Sequence, residues 1–185
     1  MKLVNKYGNL SKKTNWYVIT GGPSSGKTTT IDLLHQRGYT TTIEHARHYI
    51  DTQKVTGRTV AEIRKNQKEF QNGILDMQIE QEASLSKDEI VFLDRAIPDA
   101  LAYYRFLNIP VDEKLGNALK EASYKKIFIL GYLPMVRDYA RTENGIAQKN
   151  IHALLTEVYE SLPFSVLRVP VLPPEERVDF ILKNL

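Results

Sequence analysis

Hydrophobic positions along this chain follow two alternating periods. Short apolar runs, rich in β-branched residues, stand at Trp16–Thr20, Thr40–Glu44, Ile90–Asp94, Lys126–Leu130 and Val166–Val169. Three of these are nearly continuous, as expected of strands covered on both faces. Between the runs, apolar residues recur at threes and fours. Val60, Ile63, Phe70, Ile74 and Met77 form such a stripe, interrupted by Gln67, and predict one long helix over Thr59–Leu85. Leu115, Ala118, Leu119 and Ala122 predict a short amphipathic helix, and Ile151, Leu154, Leu155, Val158 and Tyr159 a cleaner one. Pro173-Pro174-Glu175-Glu176 places a proline and two acids where a helix start favours them, with Val178, Ile181, Leu182 and Leu185 following on one face. Strands alternating with helices predict βαβ units, a parallel sheet and a three-layer α/β fold.

Composition adds bounds. The 185 residues suit a single domain over 1–185, and 42% hydrophobic with 25% charged residues is enough to bury a sheet between helices. The net charge of +3 is scattered along the chain, so no nucleic acid is expected as a partner. Met1–Asn15 carries lysines without an apolar core and does not read as a secretory signal. No apolar run approaches the roughly 18 residues that span a bilayer. The absence of cysteine excludes a disulfide framework and thiolate metal sites, and cytoplasm is the default location.

One segment carries specific chemistry. Gly21-Gly22-Pro23-Ser24-Ser25-Gly26-Lys27-Thr28 matches G-x-x-x-x-G-K-[ST] at every fixed position. A strand enters it and a helix pattern (Ile31, Leu33, Leu34) leaves it. The glycines let backbone N–H groups turn inward as an anion-binding nest, and the following helix points its positive end at the anion. Lys27 is placed to reach the β- and γ-phosphates, and the Thr28 hydroxyl to ligate Mg²⁺. Residues 21–28 and the following Thr29 are the expected nucleotide-binding residues.

A second acid supports this reading. Ile90-Val91-Phe92-Leu93-Asp94 is an apolar strand ending in an aspartate, which delivers a metal-orienting carboxylate to the C-terminal edge of a sheet. Arg95 follows where ATP-driven motors place a water-activating glutamate, and the chain has no N-K-x-D run for reading guanine. Both absences favour a substrate hydroxyl over water as phosphoryl acceptor.

The acceptor side is read from three further segments. Glu44 ends the second strand with Arg47 one helical turn on, a carboxylate to take a hydroxyl proton and an arginine to hold a phosphate. Alternatively, Glu44 simply starts a helix and Arg47 is solvated. His45 and His48 beside Glu44 match no zinc spacing. Asp99 and Tyr103 share a helix face behind Asp94-Arg95 and are candidate acceptor contacts, with packing the alternative for the tyrosine. After the fourth strand, Arg137 and Arg141 lie one turn apart between Gly131 and Gly145, a lid-like segment over about 131–148 whose arginines would neutralise charge on the transferred group. The apolar turn Val169-Pro170-Val171-Leu172-Pro173 packs against a nucleobase or caps the sheet.

In order, G-G-P-S-S-G-K-T at 21–28, E-H-A-R at 44–47, F-L-D-R at 92–95, P-D-A-L-A-Y-Y at 98–104, R-D-Y-A-R at 137–141 and V-P-V-L-P-P-E-E-R at 169–177 resemble the AAA-domain family of small P-loop NTPases and kinase-like proteins. That family is related to the ribosylnicotinamide kinase domain of bacterial NAD-biosynthesis regulators. The resemblance implies a five-stranded parallel sheet in the order 2-3-1-4-5, ATP or GTP with Mg²⁺, and a lid carrying Arg137 and Arg141. It leaves the acceptor open. The leading expectation is a kinase that moves the γ-phosphoryl of ATP to a nucleoside-like hydroxyl, using Lys27, Asp94, Glu44, Arg137 and Arg141. Glu44, Arg47, Arg95, Asp99 and Tyr103 would form the acceptor side. The alternative is a slowly hydrolysing ATP or GTP switch that engages a partner or lipid.

Overall fold

A computed structural model describes residues 13–134 and 145–185. Five parallel strands, β1 (Trp16–Thr20), β2 (Thr40–Thr41), β3 (Val91–Asp94), β4 (Lys126–Leu130) and β5 (Val166–Val169), form one sheet in the order β2-β3-β1-β4-β5. The order and direction are those the resemblance implies. The helices are α1 (Lys27–Gln36), α2 (His45–Val55), α3 (Val60–Lys65), α4 (Gln67–Ser84), α5 (Ile97–Phe106), α6 (Glu113–Glu121), α7 (Gly145–Ser161) and α8 (Pro174–Lys183).

Alternating residues of the central strands feed two cores. Tyr17, Ile19, Phe92 and Phe128 face Ile31 and Leu34 of α1 and Val178 and Ile181 of α8. Val18, Leu93, Ile127 and Ile129 face α5 and α7 through Leu101, Tyr104, Leu155 and Tyr159. Both faces are therefore dry, which is why these strands read as unbroken apolar runs. In register, Ile19 pairs with Asp94, so the phosphate-loop strand and the acidic strand end side by side. Among the described residues no helix is long and apolar enough to cross a membrane.

Three sequence expectations change. The helix over Thr59–Leu85 is two helices. Thr59 caps α3 reciprocally with Glu62 (Thr59 N to Glu62 Oε2 2.7 Å, Glu62 N to Thr59 Oγ1 3.3 Å). Asn66 then leaves helical backbone and caps α4 by accepting the Glu69 N–H at 3.1 Å. A competing cap inside the stripe overrides its periodicity. The second strand is only Thr40–Thr41, because Thr42 turns its hydroxyl to accept the Asp94 N–H at 2.9 Å and Glu44 becomes the N-terminal flank of α2. Leu185 lies past the end of α8 and is exposed.

Helix α4 comes close to α2 through Gly73. A Cβ there would sit 2.1 Å from Cε2 of the Tyr49 ring, which is itself packed edge-on to Phe70. Gly73→Ala gains helix propensity yet overpacks this contact, and we expect a net destabilisation of about 1–3 kcal/mol in urea unfolding.

Candidate active site

The C-terminal edge of the sheet gathers the site. The loop from Gly21 to Gly26 leaves β1 with Ser24 at φ 56° and Gly26 at φ 78°, a left-handed pair that turns backbone N–H groups to one side. A Cβ on Gly26 would lie 2.2 Å from an Arg177 guanidinium nitrogen. Three side chains hold the loop from behind. Gln148 of α7 donates to Pro23 O (2.7 Å) and to Leu133 O (2.9 Å). His152, one turn on, accepts the Gly22 N–H at Nδ1 (3.3 Å). Arg177 of α8 donates to Ser25 O and Gly26 O (3.4 Å each) and to Leu172 O (3.0 Å).

Lys27 opens α1 and is buried. Its Nζ donates to Gly21 O and Gly22 O (3.1 Å each) and Ser25 Oγ (3.2 Å), all neutral acceptors. Burial first, then the Arg95 charge, holds its ammonium well below the ordinary lysine range, against Asp94, Glu44 and Asp99. Thr28 and Thr29 stand exposed on the first turn of α1.

Asp94 ends β3 with its Oδ1 buried and without a hydrogen-bond partner. Burial and the neighbouring Glu44 charge push its carboxyl up, against Lys27 and Arg95. An unsatisfied buried carboxylate oxygen of this kind calls for a ligand. Glu44 is half-buried and ion-paired to Arg47 (Nε to Oε2, 2.8 Å). Burial raises its carboxyl, but Arg95, Lys27 and Arg47 outweigh this and bring it below its usual value.

Arg95 adopts φ 67°, a left-handed conformation rare for a long side chain, and such strain clusters at functional sites. Its guanidinium donates to Asp99 Oδ1 (2.8 Å) and lies 5.4 Å from the centroid of the Tyr103 ring. Burial opposes its charge, yet Tyr103, Asp99, Glu44 and Asp94 together hold it firmly protonated.

Lys27, Glu44, Asp94, Arg95, Asp99 and Tyr103 are thus brought together. Asp99 also lines the cavity described next, with both of its oxygens engaged inside the protein. Its Oδ1 accepts from Thr20 Oγ1 (2.7 Å) and Arg95, and its Oδ2 from Ala96 N (3.1 Å) and the Tyr159 hydroxyl (2.6 Å). Four donors fill the capacity of a carboxylate, so Asp99 ties β1, α5 and α7 together and fixes Arg95. Arg47 pairs with Glu44 and does not line the cavity described next. Arg137 and Arg141 lie outside the described residues, as does most of the segment that carries them.

From Pro23, Glu44 and Asp94 a cavity of about 340 Å³ runs between α4 and α5. Phe70, Ile74, Leu75, Tyr103 and Phe106 supply apolar walls, and Gln67, Gln71 and Gln78 bring amides from one face of α4. His45 also lines it, its Nε2 2.8 Å from Gln81 Oε1 and its Nδ1 buried without a partner. Sequence reasoning missed the α4 face. The available signal was Gln67, a polar residue breaking an otherwise apolar stripe.

A family model described as an AAA domain matches residues 16–177. None of the curated proteins matches the chain. Among solved structures, it is similar to deoxyadenosine kinase from M. mycoides with bound dATP, with 16% identity, 91% of this chain and 98% of the other covered, and a TM-score of 0.60. It is also similar to thymidylate kinase from Candida albicans (13% identity, 94% and 91% covered, TM-score 0.56). The NadR protein in complex with NR shares 15% identity over 93% of this chain and 51% of its own length, with a TM-score of 0.56. At such identities the likeness is one of fold.

Proposed function

The chain belongs to the AAA-domain family, and on that premise we propose that it is a Mg-dependent kinase transferring the γ-phosphoryl of ATP to the hydroxyl of a nucleoside-like small molecule. The observation that carries this reading is the cavity that begins at Glu44 and Asp94 and continues between α4 and α5. Its volume lies at the lower end of the roughly 300–1,000 Å³ of small-molecule sites, and aromatic walls with a few amides suit a heterocycle.

The phosphate loop and Lys27 bind the triphosphate. The oxygens that fit Mg²⁺ are the Thr28 hydroxyl and the unpartnered Asp94 Oδ1, a hard donor set that leaves room for waters. When bound, the ion neutralises charge on the phosphate oxygens. Arg95, held by Asp99 and by the Tyr103 face, offers a fixed positive group in the cavity wall. Glu44, kept ionised by its three cationic neighbours, accepts a hydrogen bond from the acceptor hydroxyl, aligns it and takes its proton. Because phosphoryl transfer is loose, positioning matters more than strong basicity, so a depressed carboxyl is adequate.

The test is a panel of nucleosides incubated with ATP or GTP and Mg²⁺, with phosphorylated product detected by mass. One class of acceptor is expected to be phosphorylated, with ATP the better donor. Slow hydrolysis indifferent to every acceptor would overturn the reading in favour of a nucleotide switch. Glu44→Gln is expected to lower kcat by about 10²–10³-fold with ATP affinity retained. A loss confined to KM would make Glu44 a scaffold for Arg47 instead.

A further inference from the structure

The amides on α4 have fixed directions, which narrows the acceptor. Gln71 and Gln78 are 6% and 4% exposed, and both line the cavity. Gln71 makes no side-chain hydrogen bond among the described residues, although it is buried and polar. Gln78 Nε2 donates to Glu82 Oε1 at 2.9 Å. The same Oε1 accepts the Ile97 backbone N–H at 3.1 Å, and the Tyr124 hydroxyl donates to Oε2 at 2.8 Å.

A backbone N–H only donates and cannot turn round, so it identifies Oε1 as an acceptor. Burial pushes the Glu82 carboxyl up to about 7; in its ionised form both oxygens only accept, Oε1 from Ile97 and, at 3.1 Å, from the Tyr124 hydroxyl as well. Facing this carboxylate, Gln78 presents its nitrogen. The ionised Glu82 thus fixes the direction of the amide. The carbonyl oxygen of Gln78 has no donor among the described residues and is the polar atom left for a ligand.

We propose that Gln78, oriented by Glu82, selects an acceptor whose heterocycle carries an amino group, donated to Gln78 Oε1, while the unpaired Gln71 amide pairs with the neighbouring part of the ring. This deepens the nucleoside-kinase reading and rests on it. A carbonyl in place of the amino group would set two lone-pair-bearing oxygens against each other in a buried site, and buried mismatches of this type are where specificity is largest. Glu82 is a positioning residue in this scheme and touches no substrate.

The experiment measures binding and phosphorylation for three matched pairs: adenosine and inosine, cytidine and uridine, nicotinamide riboside and nicotinic acid riboside. In whichever pair binds, the amino-bearing member is expected to be favoured by at least about tenfold in kcat/KM. Gln78→Met should bring that ratio close to one while ATP binding is retained. Glu82→Gln should keep the preference, since its carbonyl can still accept from Ile97, whereas Glu82→Met should lose it. If Glu82→Met fails to fold, Gln78→Met decides. A wild-type preference for the oxo or carboxylate member, or a preference that survives Gln78→Met, overturns the inference and leaves the kinase reading standing. If none of the six compounds is bound or phosphorylated, both fall.

Discussion

Lys27→Ala is expected to weaken triphosphate binding and lower turnover by at least about 10²–10³-fold, while the nucleotide-free protein becomes no less stable. The two halves of this expectation share one cause. The ammonium is buried among neutral oxygens and beside Arg95, with no direct ion pair among the described residues. Its pKa is depressed in the folded state, so the unfolded chain binds the proton more tightly. Holding that charge costs stability at neutral pH, and the cost falls away only as pH rises toward the ordinary lysine range. Bound phosphate would supply the missing counter-charge. Turnover, nucleotide titration and thermal unfolding of the free protein check the expectation together. Unchanged affinity and rate would remove the phosphate-loop assignment, and a large loss of stability would make Lys27 structural.

Asp94→Asn should show the same opposition with the charge reversed. Turnover is expected to fall by at least about 10²-fold, and its dependence on Mg²⁺ concentration to shift upward. Burial, reinforced by Glu44, pushes the Asp94 carboxyl from 3.8 up to about 7. A folded state that holds the proton more tightly than the unfolded chain loses stability as pH rises through that window. Asparagine has no such proton to lose. The variant should therefore gain on the wild type between about pH 4 and 7 and keep that advantage above it. Urea unfolding at pH 5 and pH 8 tests the sign: a variant less stable than wild type at pH 8 would contradict it. Activity that survives the substitution would remove Asp94 from the metal site.

The fold and the phosphate half of the candidate site are legible in the sequence because local chemistry dictates them. Continuous apolar strands, the glycine pattern at 21–26 and a strand ending in Asp94 each have few structural solutions. The acceptor half was less legible for equally physical reasons. The spacing of Asp99 does not reveal its four donors from Thr20, Arg95, Ala96 and Tyr159, which only tertiary packing brings together. The break at Asn66 was hidden because a cap competes with an apolar stripe only once both helix ends find partners. Gln71 and Gln78 sit on a helix face whose burial depends on α5 lying across it. His152, Gln148 and Arg177 support the phosphate loop through backbone carbonyls and amides, contacts that leave no motif in a sequence.

Arg177 has a consequence for how the site behaves in salt. Its guanidinium is almost fully buried against the phosphate loop, and among the described residues it donates only to carbonyl oxygens and the Thr30 hydroxyl. Mobile ions screen exposed charges over about 8–10 Å of water but cannot enter a packed interior. The positive potential behind the loop is thus built into the dry part of the protein, shared between Arg177 and Lys27. If the site holds a triphosphate as proposed, its affinity is expected to fall less with rising ionic strength than that of a site built from surface lysines.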